Sequence, residues 1–176
     1  MTIAIVPYDA AWPREFERER ERLQAELGAL ALRIEHNGST AVPGLAAKPV
    51  IDIQIAVAHL QPLAAYAAPL ARLGYTHAAG ADDDRCPFFH RPAEWPHTHH
   101  VHVVEAGGDE ERQTLAFRDY LRAHPDAARD YEALKRALAA AFGGADASAR
   151  EAYAAAKSEF VMRIDALTRT AGPRHG

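Results

Sequence analysis

Cysteine is almost absent from this chain: Cys86 is the single one in 176 residues. A lone cysteine cannot close an internal disulfide, and it excludes a zinc centre built on several thiolates. Long apolar runs are missing too, since no stretch approaches the roughly 18 residues that a membrane-crossing helix requires. Residues 1–13 lack a basic leader followed by an apolar core, so no secretory signal is expected and the cytoplasm is the default location. Nor is there an excess of positive charge. The formal net charge is −4 with ten histidines counted as neutral, and nucleic-acid binders carry a basic face, so nucleic acid is not expected as a partner. The patterns G-x-G-x-x-G and G-x-x-x-x-G-K-[ST] do not occur, and neither does the G-x-S-x-G elbow. Ser39 with His36 or His102 is therefore not read as a nucleophilic hydrolase.

What remains is the composition of an ordinary globule, 48% hydrophobic and 25% charged, with a length that fits one domain over 1–176. A sheet-forming core is expected over about 30–105 and a helical part over about 110–169. Residues 3–6 form a short apolar run. Pro13 suits a first helical turn, and the stretch to Leu27 places Phe16, Leu23 and Leu27 on one side, with Gly28 as a stop. The charged run over 15–26 pairs Glu and Arg at helical spacing, as a solvated face does. Residues 31–35 read as a strand, and 50–57 is the clearest strand in the chain, with Asp52 and Gln54 on one face and Ile51, Ile53 and Ile55 on the other. A helix over 63–73 contains Pro69, which argues for a kink or restart. An extended segment from Tyr75, a strand near 85–90 and a strand over 99–104 follow. Helices are expected over about 110–123, from Pro125 to Phe142 with a stop at Gly143 and Gly144, and over 147–169 with Tyr153, Ala156, Phe160, Ile164 and Leu167 as its buried stripe. A frayed tail is expected after that.

Two constellations carry chemistry. Gly38, Ser39 and Thr40 follow a strand, and such a turn exposes backbone N–H groups and hydroxyls suited to phosphate or another anion. Lys48, at the far end of the same loop, offers a point charge. A plain capped turn is the bland alternative. Asp52 then interrupts an apolar strand, and burying an unpaired carboxylate is expensive. His100 and His102 share a strand face at i,i+2, which allows a common metal or anion. His97 adds to the cluster, whereas His99 points to the opposite face. If the two strands share a sheet and a face, Asp52, Gln54, His100 and His102 converge. Arg85 and Arg91 are further candidates for anion contacts, and Arg118 and Arg122, one helical turn apart, either face the site or brace the structure. The three consecutive acids at 82–84 read as solvated.

The segment Ile34 to Ile53, with its core GSTAVPGLAAKP, resembles the GrpB family (UPF0157) closely. So do Val6, Pro7 and Tyr8 with Trp12 and Pro13; Leu73 to Tyr75; His100 to Val104; Phe117 to Arg122; and Tyr153 with Lys157. GrpB proteins are similar to the nucleotidyltransferase superfamily, which implies an α/β (α+β) fold with a mixed sheet flanked by helices. In that superfamily a Gly-Ser turn precedes a strand bearing two carboxylates, and a third acid comes from a later strand. Gly38, Ser39 and Asp52 match the first elements. Gln54 stands where the second carboxylate is expected, and His100 and His102 where the third is.

The leading expectation is a nucleotidyltransferase-like enzyme. His36, Gly38, Ser39, Thr40, Lys48, Arg85, Arg118 and Arg122 would hold a nucleotide or phosphate compound. Asp52, His100 and His102 would hold a divalent metal, left open among Mg²⁺, Mn²⁺ and Zn²⁺, or do acid–base work beside Gln54. Two alternatives keep the pocket: a metal-dependent phosphoesterase or small-molecule ligase, and a non-catalytic nucleotide- or anion-binding module. The acceptor and the oligomeric state stay open.

Overall fold

A computed structural model describes residues 4–142 and 147–170. Helix α1 (Trp12–Leu27) starts with Pro13 in its first turn and turns Trp12, Phe16, Leu23 and Leu27 inward. Its solvated face carries the Glu17–Arg20 pair one turn apart, whereas Glu19, expected on that face, is buried and bonded to Arg91 and Tyr75. Five strands follow: β1 (Arg33–Asn37), β2 (Ile51–Val57), β3 (Thr76–His77), β4 (Phe88–Arg91) and β5 (His99–Glu105). They form one mixed sheet in the order β1-β2-β5-β4-β3, parallel between β2 and β5 and antiparallel elsewhere. The apolar period-2 pattern puts Ile51, Ile53, Ile55, Val101, Val103 and Phe89 on one face, and this face meets α1 and α2 (Ala64–Arg72) in the main core.

The other face is polar. Helix α3 (Asp109–Ala123) is tied to β1 by the two-pronged ion pair of Arg33 with Glu111, which also accepts the Gly107 N–H. Helices α4 (Pro125–Phe142) and α5 (Ala147–Thr170) complete a second core, in which Leu121, Tyr131, Phe160 and Ile164 close over Val42 and Leu45 of the loop between β1 and β2. That loop is thereby clamped between the sheet and the helices.

Several expectations shift. Of the apolar run at 3–6, Val6 makes a two-bond bridge with Ala47, and residue 3 lies outside the described residues. Helix α2 passes through Pro69 without a restart, and Pro69 is itself buried. The extended segment after Tyr75 is two residues long. Leu167 is exposed, because α5 runs on past the second core, which ends at Ile164. Gly143, Gly144, the tail from 171 and the side chains of Tyr153 and Ala156 lie outside the described residues.

Candidate functional site

The parallel register of β2 and β5 sets Asp52 beside His100 and Gln54 beside His102. Residues paired across neighbouring strands point to the same side, so these four share the polar face. His100 Nδ1 lies 3.2 Å from Asp52 Oδ1, and its Nε2 lies 3.2 Å from His97 Nδ1. His102 Nδ1 is 3.7 Å from Cys86 Sγ. Phe88, opposite His102 on β4, packs its ring 5.0 Å from that of His100 and 4.9 Å from that of His102.

The turn after β1 fits tightly against this group. Gly38 has φ +66°, and a Cβ built there would lie 2.3 Å from Asp52 Oδ2. Only glycine satisfies both the left-handed backbone and the contact. Ser39–Ala41 then forms a 3-10 turn, with Thr40 Oγ1 3.3 Å from the Val50 carbonyl oxygen. Strand, turn and carboxylate enclose a cavity of about 390 Å³ lined by Ser39, Thr40, Lys48, Asp52, Phe88, His100, His102, Lys135 and Lys157, among others.

Three lysines reach this cavity from three separate elements: the loop, α4 and α5. Lys135 is 3% exposed and donates to the Ala46 carbonyl oxygen, with its ammonium 5.0 Å from the centre of the Tyr131 ring. Burial, reinforced by the neighbouring Lys157 charge, pushes its pKa down to about 7. Burial also lowers Lys157. For Asp52 burial acts upward, but the hydrogen bond and charge of His100, with the charge of Lys157, outweigh it and hold the carboxyl below its usual range. Burial lowers His102, which keeps its imidazole neutral at pH 7. One carboxylate and three lysines thus share this lining.

That balance bears on the expected metal. Among the described residues, no group of three or more His, Cys, Asp or Glu side chains is disposed to hold an ion. His100 has one ring nitrogen against Asp52 and the other against His97. A cation seated on protein ligands alone would also face the lysines. The donor set fits a metal poorly unless the ligand itself supplies oxygens.

Comparison with known proteins follows the same residues. The family model described as GrpB protein matches residues 2–166. The chain belongs to the GrpB family. A UPF0157 protein of Pseudomonas aeruginosa is 41% identical over 165 residues, 92% of this chain and 66% of that one. YqkA of Bacillus subtilis, also a UPF0157 protein, is 37% identical over 78% of this chain but only 40% of its own length. This chain therefore spans under two thirds of these two curated relatives. A dephospho-CoA kinase of Mycolicibacterium paratuberculosis is 35% identical over 76% of this chain and 39% of its own. The crystal structure of GrpB from Enterococcus faecalis superposes with a TM-score of 0.82 at 31% identity, covering 94% of this chain and 96% of that one. The mixed sheet flanked by helices is thus the GrpB fold.

Within this GrpB fold, the remaining expected ligand residues fall elsewhere. His36 pairs with Ile53 across β1 and β2, so it points away from Asp52 into the main core. There it stacks on Phe16 at 4.7 Å and lies 3.0 Å from Thr40 Oγ1, and burial pushes its pKa down to about 4. Arg85 pairs with Asp82 and Glu110 at a second cavity of about 420 Å³, separated from the first by Phe88 and His102, which line both. Arg118 donates to Glu35 and to the His36 carbonyl, and Arg122 to the Ala41 carbonyl. Both arginines brace the backbone on either side of Gly38 and do not line the cavity. Gln54 is 1% exposed, and its Nε2 has no hydrogen-bond partner among the described residues, while its Oε1 lies 3.4 Å from Asn37 Nδ2.

Sequence reasoning missed Lys135 and Lys157 as site residues. The signal was present in the helical period. Lys135 follows Tyr131 by four positions, and Lys157 leads Phe160 and Ile164 by three and seven. Each lysine sits in an apolar stripe, where a solvated lysine has no reason to be.

Proposed function

We propose that this cavity binds a phosphate-bearing small molecule of the nucleotide class and handles it in the manner of a nucleotidyltransferase. The observation that carries this reading is the convergence of Lys48, Lys135 and Lys157 around a single carboxylate, Asp52, beside the Gly38–Thr40 turn. Ammonium groups donate charge-assisted hydrogen bonds to phosphate oxygens, and Lys48, Lys135 and Lys157 reach the cavity from three different elements. Ser39 offers its hydroxyl to the same oxygens, while that of Thr40 is held by the Val50 carbonyl. Asp52, held ionised, orients His100, and the neutral His102 can take a proton from an acceptor hydroxyl. Mg²⁺ is commonly held by one or two carboxylates plus substrate phosphates, so a cation arriving with the ligand would have Asp52 as its protein oxygen donor. The kinship with chains named dephospho-CoA kinase adds coenzyme A precursors to the phosphate compounds worth offering.

The second reading, a binding module without turnover, is favoured by Gln54, which stands where a second carboxylate is expected. One set of titrations separates the two. Nucleoside triphosphates, coenzyme A precursors and tripolyphosphate are titrated calorimetrically, with and without Mg²⁺, into the wild type and Lys157→Met. The expected result is binding by at least one phosphate compound, weakened in the variant, with falling affinity as salt rises. Turnover that Asp52→Asn abolishes supports transfer, and unchanged ligand with intact binding supports the module. No binding of any phosphate compound at millimolar concentration ends both.

A further inference from the structure

Phe88 and His100 belong to the cavity wall, but a run of rings continues outward from them. His97 meets His100 edge-on at 5.3 Å, stacks on His90 at 4.0 Å with an interplanar angle of 11°, and meets Trp95 at 5.1 Å. Trp95, His97 and His90 are each only partly buried. The chain has two tryptophans, and the other, Trp12, is 3% exposed in the main core. Leaving indole surface partly open next to a polar cavity sacrifices burial that the core uses fully. Trp95 is also held in place by sequence, standing in the segment Pro92–Pro96, where two prolines fix the backbone and remove two N–H donors.

We propose that Trp95, His97 and His90 form the platform on which the aromatic base of a nucleotide stacks while its phosphates enter the lysine-lined cavity. This rests on the phosphate reading above and adds the class of group attached to the phosphate. The link between the two parts is His100, which touches Asp52 with one ring nitrogen and His97 with the other. Rings of Trp and His offer flat faces to a base, and such stacking tolerates different bases because every base has a π-face. Imidazole edges add donors and acceptors at the rim. A sugar phosphate or an inorganic polyphosphate would use the lysines and gain nothing from these rings.

The chain provides its own reporter, since any ligand-induced change in tryptophan emission comes from Trp95 or from the core residue Trp12. Four nucleoside triphosphates and tripolyphosphate are titrated into the wild type, Trp95→Ala and Trp95→Phe, by fluorescence and by calorimetry, the emission of the variants coming from Trp12 alone. At least one nucleotide is expected to quench the emission and to bind about tenfold or more tighter than tripolyphosphate. Trp95→Ala is expected to remove that advantage while leaving tripolyphosphate affinity unchanged, and Trp95→Phe to retain most of it. If tripolyphosphate binds as tightly as every nucleotide, or if Trp95→Ala leaves nucleotide affinity unaltered or weakens tripolyphosphate equally, the platform is overturned and the cavity reading stands. If tripolyphosphate and all four nucleotides fail to bind, both fall together.

Discussion

Replacing Lys135 by methionine should make the protein more stable and a poorer phosphate binder. An ammonium whose pKa falls from its ordinary 10.5 to about 7 carries a penalty of about 5 kcal/mol when protonated in the fold. The folded-state value is depressed, so the unfolded chain holds the proton more tightly. Between pH 7 and 10.5 unfolding takes up a proton, and stability rises with pH across that window; below pH 7 the full penalty applies. Methionine has a similar length and no charge, but it leaves the Ala46 carbonyl without its donor, at a cost of about 1–2 kcal/mol. The variant should therefore exceed the wild type by about 3 kcal/mol at pH 6 and by close to nothing at pH 9. Urea denaturation of both proteins at the two pH values measures the gap, with calorimetric titration of tripolyphosphate alongside. A gap that does not change with pH would refute the claim that Lys135 is held in the fold as a strained cation, as would a wild type that is the more stable at pH 6.

Other expectations follow from single contacts. Gly38→Ala must relieve a 2.3 Å approach to Asp52 Oδ2 at a left-handed backbone, so it should cost about 2 kcal/mol or more in urea denaturation and weaken phosphate binding through the displaced carboxylate. Glu19→Gln breaks the two-pronged pair with Arg91 at 2.8 and 2.9 Å and leaves Tyr75 with a weaker acceptor; a loss of about 3–5 kcal/mol is expected, and a loss under 1 kcal/mol would show that the pair is idle. His36, lowered from 6.5 to about 4, is neutral in the fold, so stability should fall as pH drops below 6.5 and go on falling until pH reaches about 4. His36→Gln should flatten part of that slope in acid denaturation curves, with His99, also lowered to about 4, accounting for a share of the rest.

The strands were legible because period-2 patterning is strong where one face is packed. Asp52 and Gln54 stood out against Ile51, Ile53 and Ile55, as His100 and His102 did against Val101 and Val103. Their meeting was not legible. It depends on the parallel pairing of β2 with β5, which leaves no mark on either strand's own pattern. His36 was misjudged as a ligand residue because it adjoins the turn in sequence, yet antiparallel pairing opposite Ile53 commits it to the core. Arg118 and Arg122 did share a helix face as expected, but the carbonyls they reach, His36 in β1 and Ala41 in the turn, flank Gly38 outside the cavity. Lys135 and Lys157 escaped notice because alanine-rich helices conceal which stripe is buried until other elements pack on it.

The register between β2 and β5 has a consequence for assembly. Sliding one strand past the other by a single residue would set Asp52 opposite Val101 and drive ionisable groups into the apolar layer, where they are least tolerated. Competing pairings are thus penalised by the polar groups that line the cavity. In this chain the polar residues of β2 and β5 also police the alignment, so the burial of the isoleucines and the completion of the pocket are one event.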